Sequence, residues 1–271
     1  MTLVINRFDM TSATDVGRVR SHNEDSIASD PEIGIATLAD GMGGYNAGEV
    51  ASGMAVAMVP ADMRKLMASQ TLQGLSDEAV QKVIAAQASK VNTAIYTAAQ
   101  SQHQYSGMGT TLVIAYWHGD RVTVGHLGDS RCYRLRGDAI TALTRDHSWI
   151  QEQIDAGVMT YEQARASKKK NLVTRACGID PNVIPEVHTH DVLPGDIYVL
   201  CSDGLYDMVP DEDIHLTVSS LKSNLPLAAQ QLLQQANDAG GRDNISVILV
   251  HVLKMAQAPS GFFARLKSWF K

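Results

Sequence analysis

Positive charge is the first thing this chain is short of. Lys and Arg number 23 against 29 Asp and Glu, a formal net charge of -6. That balance gives no reason to expect nucleic acid as a partner. An acidic chain that handled anionic phosphate would need local cations or metal to offset its own field. Cysteine is scarce too, with Cys132, Cys177 and Cys201 alone. No two of them form a Cys-x-x-Cys pair, which argues against a zinc site. An odd number of thiols in apolar contexts predicts reduced, buried cysteines and a cytoplasmic protein. Long apolar runs are missing: nothing approaches the ~18 residues of a membrane span. Residues 1–7 lack the apolar centre of a signal peptide.

What the chain has is bulk. Its 271 residues are 45% hydrophobic and 19% charged, the balance of a globular chain with a sizeable core. Residues 9–16 alternate weakly and predict a strand. A polar segment, 17–25, leads to an apolar run at 33–39 of the right length for a buried strand. Residues 47–68, rich in Ala, Met and Val, predict a helix with Glu49 in its first turn. A second helix is predicted over 76–100, capped by Ser76 and Asp77, with Val80, Ile84, Ala88, Val91 and Ile95 at helical spacing. Short β-branched or aromatic runs follow at 111–117, 121–127, 131–135 and 139–143. Tight Gly-Asp turns separate them, predicting an antiparallel meander. Strands resume at 184–191, 197–202 and 245–253, with a helix at 225–239. Strands and helices in alternating groups, hairpins dominant, predict an α+β fold with an antiparallel sheet core. No repeat is visible, and no linker before about residue 255.

The chemistry concentrates around Ala39-Asp40-Gly41-Met42-Gly43-Gly44. An apolar run delivers a carboxylate into a loop with three glycines in the next four positions. Glycine lets backbone carbonyls approach a metal or ligand with no Cβ in the way. Alone, the stretch reads equally well as a turn whose Asp caps its own backbone. The pattern recurs, however: Asp25, Asp129, Asp203 and Asp243 also border apolar runs beside Gly, Asn or Ser. Gathered at one sheet edge, these acids could not all stay ionised and buried without cations. Oxygen ligands without His or Cys select Mg²⁺ or Mn²⁺. An aspartate bridging two such ions, about 3.5–4 Å apart, is the usual arrangement for phosphoryl hydrolysis. A phosphate dianion also wants a bidentate cation, and Arg20 is the candidate. The residues alone equally allow a surface ion pair of Arg20 with Glu24.

In chain order, Gly17-x-x-Arg20-x-x-Asn23-Glu24-Asp25, the Asp40 loop with Gly48-Glu49, and Gly107-Met108-Gly109-Thr110-Thr111 resemble the start of the metal-dependent protein phosphatases, the type 2C serine/threonine phosphatases. Gly128-Asp129-Ser130-Arg131, Leu143-Thr144-Arg145-Asp146-His147, Cys201-Ser202-Asp203-Gly204-Leu205 and Gly241-Arg242-Asp243-Asn244 follow in the same order. The resemblance covers roughly residues 9–252. It implies a four-layer αββα sandwich, two antiparallel sheets flanked by helix pairs, over residues 1–254. It implies hydrolysis of phosphoserine and phosphothreonine in proteins, with two Mg²⁺ or Mn²⁺ ions and a third, weaker one. By position, Asp40 resembles the ligand bridging both ions, and the Gly41 carbonyl a ligand of the second. Asp203 and Asp243 resemble ligands of the first ion, and Asp129 with Asp203 the site of the third. Arg20 resembles the phosphate clamp, and the catalytic set is Arg20, Asp25 and Asp40. Glu24, Asp25 and Asn244 resemble groups behind the ligands; Thr111 is given no catalytic role.

One departure is Met42, where animal members carry a histidine proposed as general acid. His147, the other imidazole within a motif, is expected to be structural. Residues 147–175 fall where the family has a flap, with 171–176 its return strand. Lys168, Lys169 and Lys170 offer a contact to acidic or phosphorylated substrate, although a lysine run is more often simply solvated. In the tail, 255–271, Phe262, Phe263, Leu266, Trp269 and Phe270 interleave with Arg265, Lys267 and Lys271. As a helix, this suits peripheral contact with a membrane or partner, or plain packing on the domain. The expected partners are phosphoproteins and a cognate bacterial serine/threonine kinase, with the chain a cytoplasmic monomer. The competing reading is an inactive, phosphatase-like scaffold. Survival of Asp40, Asp203 and Asp243 weighs against it. A nucleotide-cradling loop at 41–48 is disfavoured by the missing Gly-Lys-Ser/Thr ending.

Overall fold

The computed structural model describes residues 7–43, 47–160, 163 and 172–254. Gly44, Asn171, the lysines at 168–170 and the tail at 255–271 lie outside the described residues. Within them the order is β1 (Phe8–Asp15), β2 (Asp25–Asp30), β3 (Ile35–Met42), α1 (Ala47–Ala68), α2 (Asp77–Ser101), β4 (Gly109–Thr110), β5 (Leu112–His118), β6 (Arg121–Leu127), β7 (Arg131–Arg136), β8 (Ala139–Ala142), α3 (Trp149–Asp155), β9 (Glu186–Asp191), β10 (Ile197–Cys201), α4 (Asp203–Tyr206), α5 (Asp211–Ser220), α6 (Leu225–Asp238) and β11 (Ile245–Val252). One sheet runs β1-β11-β10-β7-β8; the other runs β2-β3-β5-β6-β9, with β4 paired to the end of β3. Every pairing is antiparallel.

The two sheets stack face to face, and helices cover both outer faces. Ala36, Leu38, Val113, Ala115, Val122 and Val124 of one sheet meet Tyr198, Leu200, Ile248 and Val250 of the other. The opposite faces of the same strands bury Ile35, Leu112 and Ile114 against α1 and α2. Likewise Val199, Val247 and Leu249 pack against α5 and α6. A strand covered on both faces must be apolar at consecutive positions. This explains why β5 and β11 read as continuous runs. The α+β, four-layer arrangement that the resemblance implied is therefore present.

Three local readings need correcting. The four strands from 111 to 143 are not one meander. β5 and β6 form a hairpin in one sheet and β7 and β8 a hairpin in the other, joined by Gly128-Asp129-Ser130. The crossing requires Gly128, whose φ is 100° and whose position a Cβ would fill at 2.7 Å from Thr111. Nor does β3 stop at Asp40: it continues through Gly41 and Met42, paired to Thr110 and Gly109. Finally, β2 fills the interval between the polar segment 17–25 and the apolar run at 33–39, where no strand was expected, and α5 was not foreseen either. The latter opens with Asp211, Glu212 and Asp213 and buries Ile214 and Val218. That is an acidic first turn followed by an i, i+4 apolar pair.

Candidate active site

Antiparallel pairing alternates strand direction, so the ends of β1, β3, β6 and β10 and the starts of β2, β5, β7 and β11 share one edge of the sandwich. The singled-out residues lie there. Asp40 is near the end of β3, Asp25 opens β2, and Asp129 is in the turn after β6. Asp203 opens α4 just beyond β10, and Asp243 precedes β11. Arg20, Glu24, Asp40, Gly41, Asp129, Asp203, Asp243 and Asn244 line one cavity of about 380 Å³, together with Met42, Thr111, Leu172 and Val173. A smaller lobe of about 170 Å³ adjoins it, sharing Arg20, Asp203 and Asp243 and adding Asp207, Met208 and Arg242.

The carboxylates crowd one another. Asp25 and Asp40 are directly opposed cross-strand partners, a like-charge pairing that a sheet does not favour. Burial, then Asp25, Asp203, Asp129 and Asp243, push the Asp40 carboxyl well above the usual range. Burial raises Asp25 to about 6, although Ser246 and Ser202 oppose the rise. Asp129 is raised to about 7, by burial and then by Asp146. Asp203 is also raised, by burial and then by Asp129 and Asp243. Among the described residues, the buried oxygens Glu24 Oε1, Asp25 Oδ1 and Asp203 Oδ1 have no hydrogen-bond partner. Buried acids normally find donors. An oxygen-only cluster with unpaired lone pairs and mutual repulsion fits hard divalent cations, which supply the missing positive charge.

The backbone around the cavity is tightly held. Asp40 N–H donates to Thr111 Oγ1 at 2.9 Å, and Thr111 N–H donates to the Asp40 carbonyl at 2.8 Å. Thr111 Oγ1 also meets Ser130 Oγ at 2.7 Å, linking the Asp40 strand to the Asp129 turn. Asn244 Oδ1 accepts from Glu24 N–H at 2.8 Å, while its Nδ2 donates to the Val16 and His22 carbonyls. Ser202 Oγ donates to Asp25 Oδ2 at 2.8 Å. Gly41 has no room for a side chain: a Cβ would lie 2.2 Å from the Gly48 carbonyl and 2.5 Å from that of Glu24. The missing Cβ lets β3 run against the start of α1.

Arg20 does not pair with Glu24. Its Nη2 donates to Asp243 Oδ2 at 2.7 Å, and this bond is the main cause of its raised pKa. It therefore stands at the rim of both lobes, its side chain 49% exposed. Thr111, Ser202, Tyr206 and Arg131 were not selected as functional from the sequence. The hydroxyl beside Asp in the Ser202-Asp203 pair was the available signal; the Thr110-Thr111 pair has no acidic neighbour in sequence. His147 is buried, its Nδ1 accepts from Gly128 N–H at 3.2 Å, and its backbone N–H donates to the Gly128 carbonyl at 2.9 Å. Burial lowers it to about 4, so it stays neutral. Its ring stacks on His126 at 4.5 Å, and Glu186 is close by. His126 Nε2 donates to the Arg145 carbonyl at 2.8 Å, and His147 bonds both the amide and the carbonyl of Gly128, so this pair braces the turn that carries Asp129.

A two-sheet sandwich whose strand-end aspartates ring one cavity defines a metal-dependent phosphoester hydrolase. Comparison with known proteins makes the assignment specific: the chain belongs to the protein phosphatase 2C family, whose model matches residues 17–245. It is thus an enzyme of the metal-dependent serine/threonine phosphatase class. The serine/threonine phosphatase Stp of Listeria innocua is 37% identical over 240 residues, 88% of this chain and 93% of the relative. A serine/threonine phosphatase structure from S. agalactiae superposes with a TM-score of 0.81 at 33% identity, covering 90% of this chain and 99% of that one. The catalytic domain of the phosphatase PstP, solved with two manganese ions, gives 0.79 at 32% identity, covering 91% and 99%.

Proposed function

We propose that the chain hydrolyses phosphoserine and phosphothreonine in proteins at a dinuclear Mg²⁺ or Mn²⁺ centre and opposes a cognate serine/threonine kinase in the cytoplasm, acting as a monomer. The observation that carries this is the set of mutually repelling, partly unpaired carboxylates around one cavity beside an arginine. Asp40 would hold both ions, with the Gly41 carbonyl on one and Asp203 and Asp243 on the other. Asp129 with Asp203 would hold a third. When bound, the ions supply an acidified water as nucleophile and neutralise the phosphate. Glu24, Asp25 and Asn244 fix the ligands from behind. Arg20 leaves Asp243 to clamp two phosphate oxygens with its guanidinium fork. Met42 has no proton to give, and no described imidazole lines the cavity. The leaving seryl or threonyl oxygen therefore takes its proton from solvent. Residues 147–175 act as a flap: Ser148 and Val173 pair as a bridge at its base, which sets Leu172 and Val173 against the cavity. The tail at 255–271 serves as a peripheral contact to a membrane or partner.

The test is turnover of a phosphate ester with Mn²⁺ present. Asp40→Ala and Asp243→Ala are expected to abolish it while circular dichroism stays unchanged. Retained turnover in either variant would refute the bridging assignment. Arg20→Ala is expected to raise KM for a phosphopeptide more than it alters Mn²⁺ affinity, and unchanged kinetics would discard the clamp.

A further inference from the structure

Asp129 and Asp203 reach the cavity from different parts of the fold, one from the turn between the sheets and the other from the first position of α4. They repel each other, so something must fix their spacing. Tyr206 stands three residues beyond Asp203, one helical turn along the same face. Its hydroxyl donates to the Asp129 backbone carbonyl at 3.0 Å. The ring is clamped in turn. The Arg131 guanidinium lies over it, 3.7 Å from the centroid, a cation held on an aromatic face. Arg131 is fixed by a fork onto Asp146, Nε to Oδ1 at 2.9 Å and Nη2 to Oδ2 at 2.7 Å. Its Nη1 donates to the Tyr133 hydroxyl at 2.9 Å, which donates onward to Asp211 at 3.2 Å. The chain of contacts therefore runs from the loop after β8, through β7, onto α4 and back to the Asp129 carbonyl. It connects both carboxylates without touching the reacting atoms.

We propose that Tyr206 is a positioning residue: its hydroxyl sets the separation of Asp129 and Asp203 and so the affinity of the divalent ion those two carboxylates share. The inference rests on the reading of the cavity as a metal centre. A phenol that merely satisfied its own polarity would leave ion affinity untouched when removed. A phenol that holds the turn would not.

The measurement is a calorimetric titration of the full chain with Mn²⁺, in wild type, Tyr206→Phe and Asp129→Asn. Tyr206→Phe keeps the ring and the cation above it and deletes one hydrogen bond. Its weakest Mn²⁺ step is expected to loosen about fivefold, the value of one ordinary net bond. The tighter steps, and KM for p-nitrophenyl phosphate, should be unchanged. The Mn²⁺ concentration giving half-maximal turnover should rise with the weak step. Arg131→Lys, which keeps a cation but loses the fork, should move the same step in the same direction. Asp129→Asn should remove that step. An unaltered weak step in Tyr206→Phe overturns the proposal. So does a parallel loosening of every step with a lower melting temperature, which would mark a general structural role. Wild type binding no Mn²⁺ at all would instead sink the metal centre itself.

Discussion

Asp25 and Asp40 face each other across β2 and β3, a placement that costs stability whenever both are charged. Asp25 is raised to about 6 and Asp129 to about 7. A carboxyl raised in the fold favours the folded, metal-free chain at low pH, and this contribution disappears as pH rises through the folded values. The gain in melting temperature from Mn²⁺ over chelator should therefore grow between pH 5 and pH 8. Histidines lowered by burial, such as His147, affect both conditions alike and cancel in that difference. Asp25→Asn should stabilise the metal-free chain at pH 8, because it removes a buried charge that faces Asp40. Thermal melts in chelator would show a rise. A fall would mean that the Ser202 and Ser246 bonds outweigh the repulsion. These aspartates were legible in the sequence because each stands beside a glycine, asparagine or serine at the end of an apolar run. Tyr206 was not legible, because nothing in Leu205-Tyr206-Asp207 reveals that a phenol reaches a carbonyl 77 residues away.

At the scale of elements, helices α1 and α2 and most strands were readable because each carries its own period or apolar run. What local pattern could not reveal was which sheet a strand joins. β6 and β7 are separated by three residues and look like neighbours in a meander, yet the turn between them sends the chain across the sandwich. The instruction lies in Gly128 and in contacts distant in sequence: His147 N–H and Nδ1 on its carbonyl and amide, and Ser130 on Thr111. Gly128→Ala would force an L-residue to a φ of 100° and press its Cβ to 2.7 Å from Thr111. The expected cost is about 2 kcal/mol or more from the backbone alone. Because Thr111 also holds the Asp40 backbone, Mn²⁺ affinity should fall together with the melting temperature. A variant with lower stability but wild-type Mn²⁺ affinity would separate the turn from the site.

At the scale of the whole molecule, the cavity belongs to neither sheet. Asp25 and Asp40 come from one, Asp203 and Asp243 adjoin the other, and Asp129 lies on the crossing between them. The inter-sheet core therefore carries the cluster, but its two ends need not matter equally. Trp117 lies toward the far end of β5 from Thr111, tilted against Phe8 at 5.6 Å and edge-on to Tyr198 at 5.2 Å. It is 2% exposed, and its Nε1 has no hydrogen-bond partner among the described residues. Trp117→Leu would lose part of a large buried surface, for which full truncation costs about 3–5 kcal/mol. It would also remove an unsatisfied N–H, worth roughly 1–3 kcal/mol in the other direction. The net expectation is about 2 kcal/mol, or roughly 4–8 °C at this size. Since the site end is held separately by the Thr111, Ser130 and Asn244 bonds, kcat, KM and the melting-temperature gain from Mn²⁺ should match wild type. The melt should remain a single transition, because both sheets share that one core. Two transitions, or a diminished response to Mn²⁺, would show that the sheets are coupled to the site along their whole length.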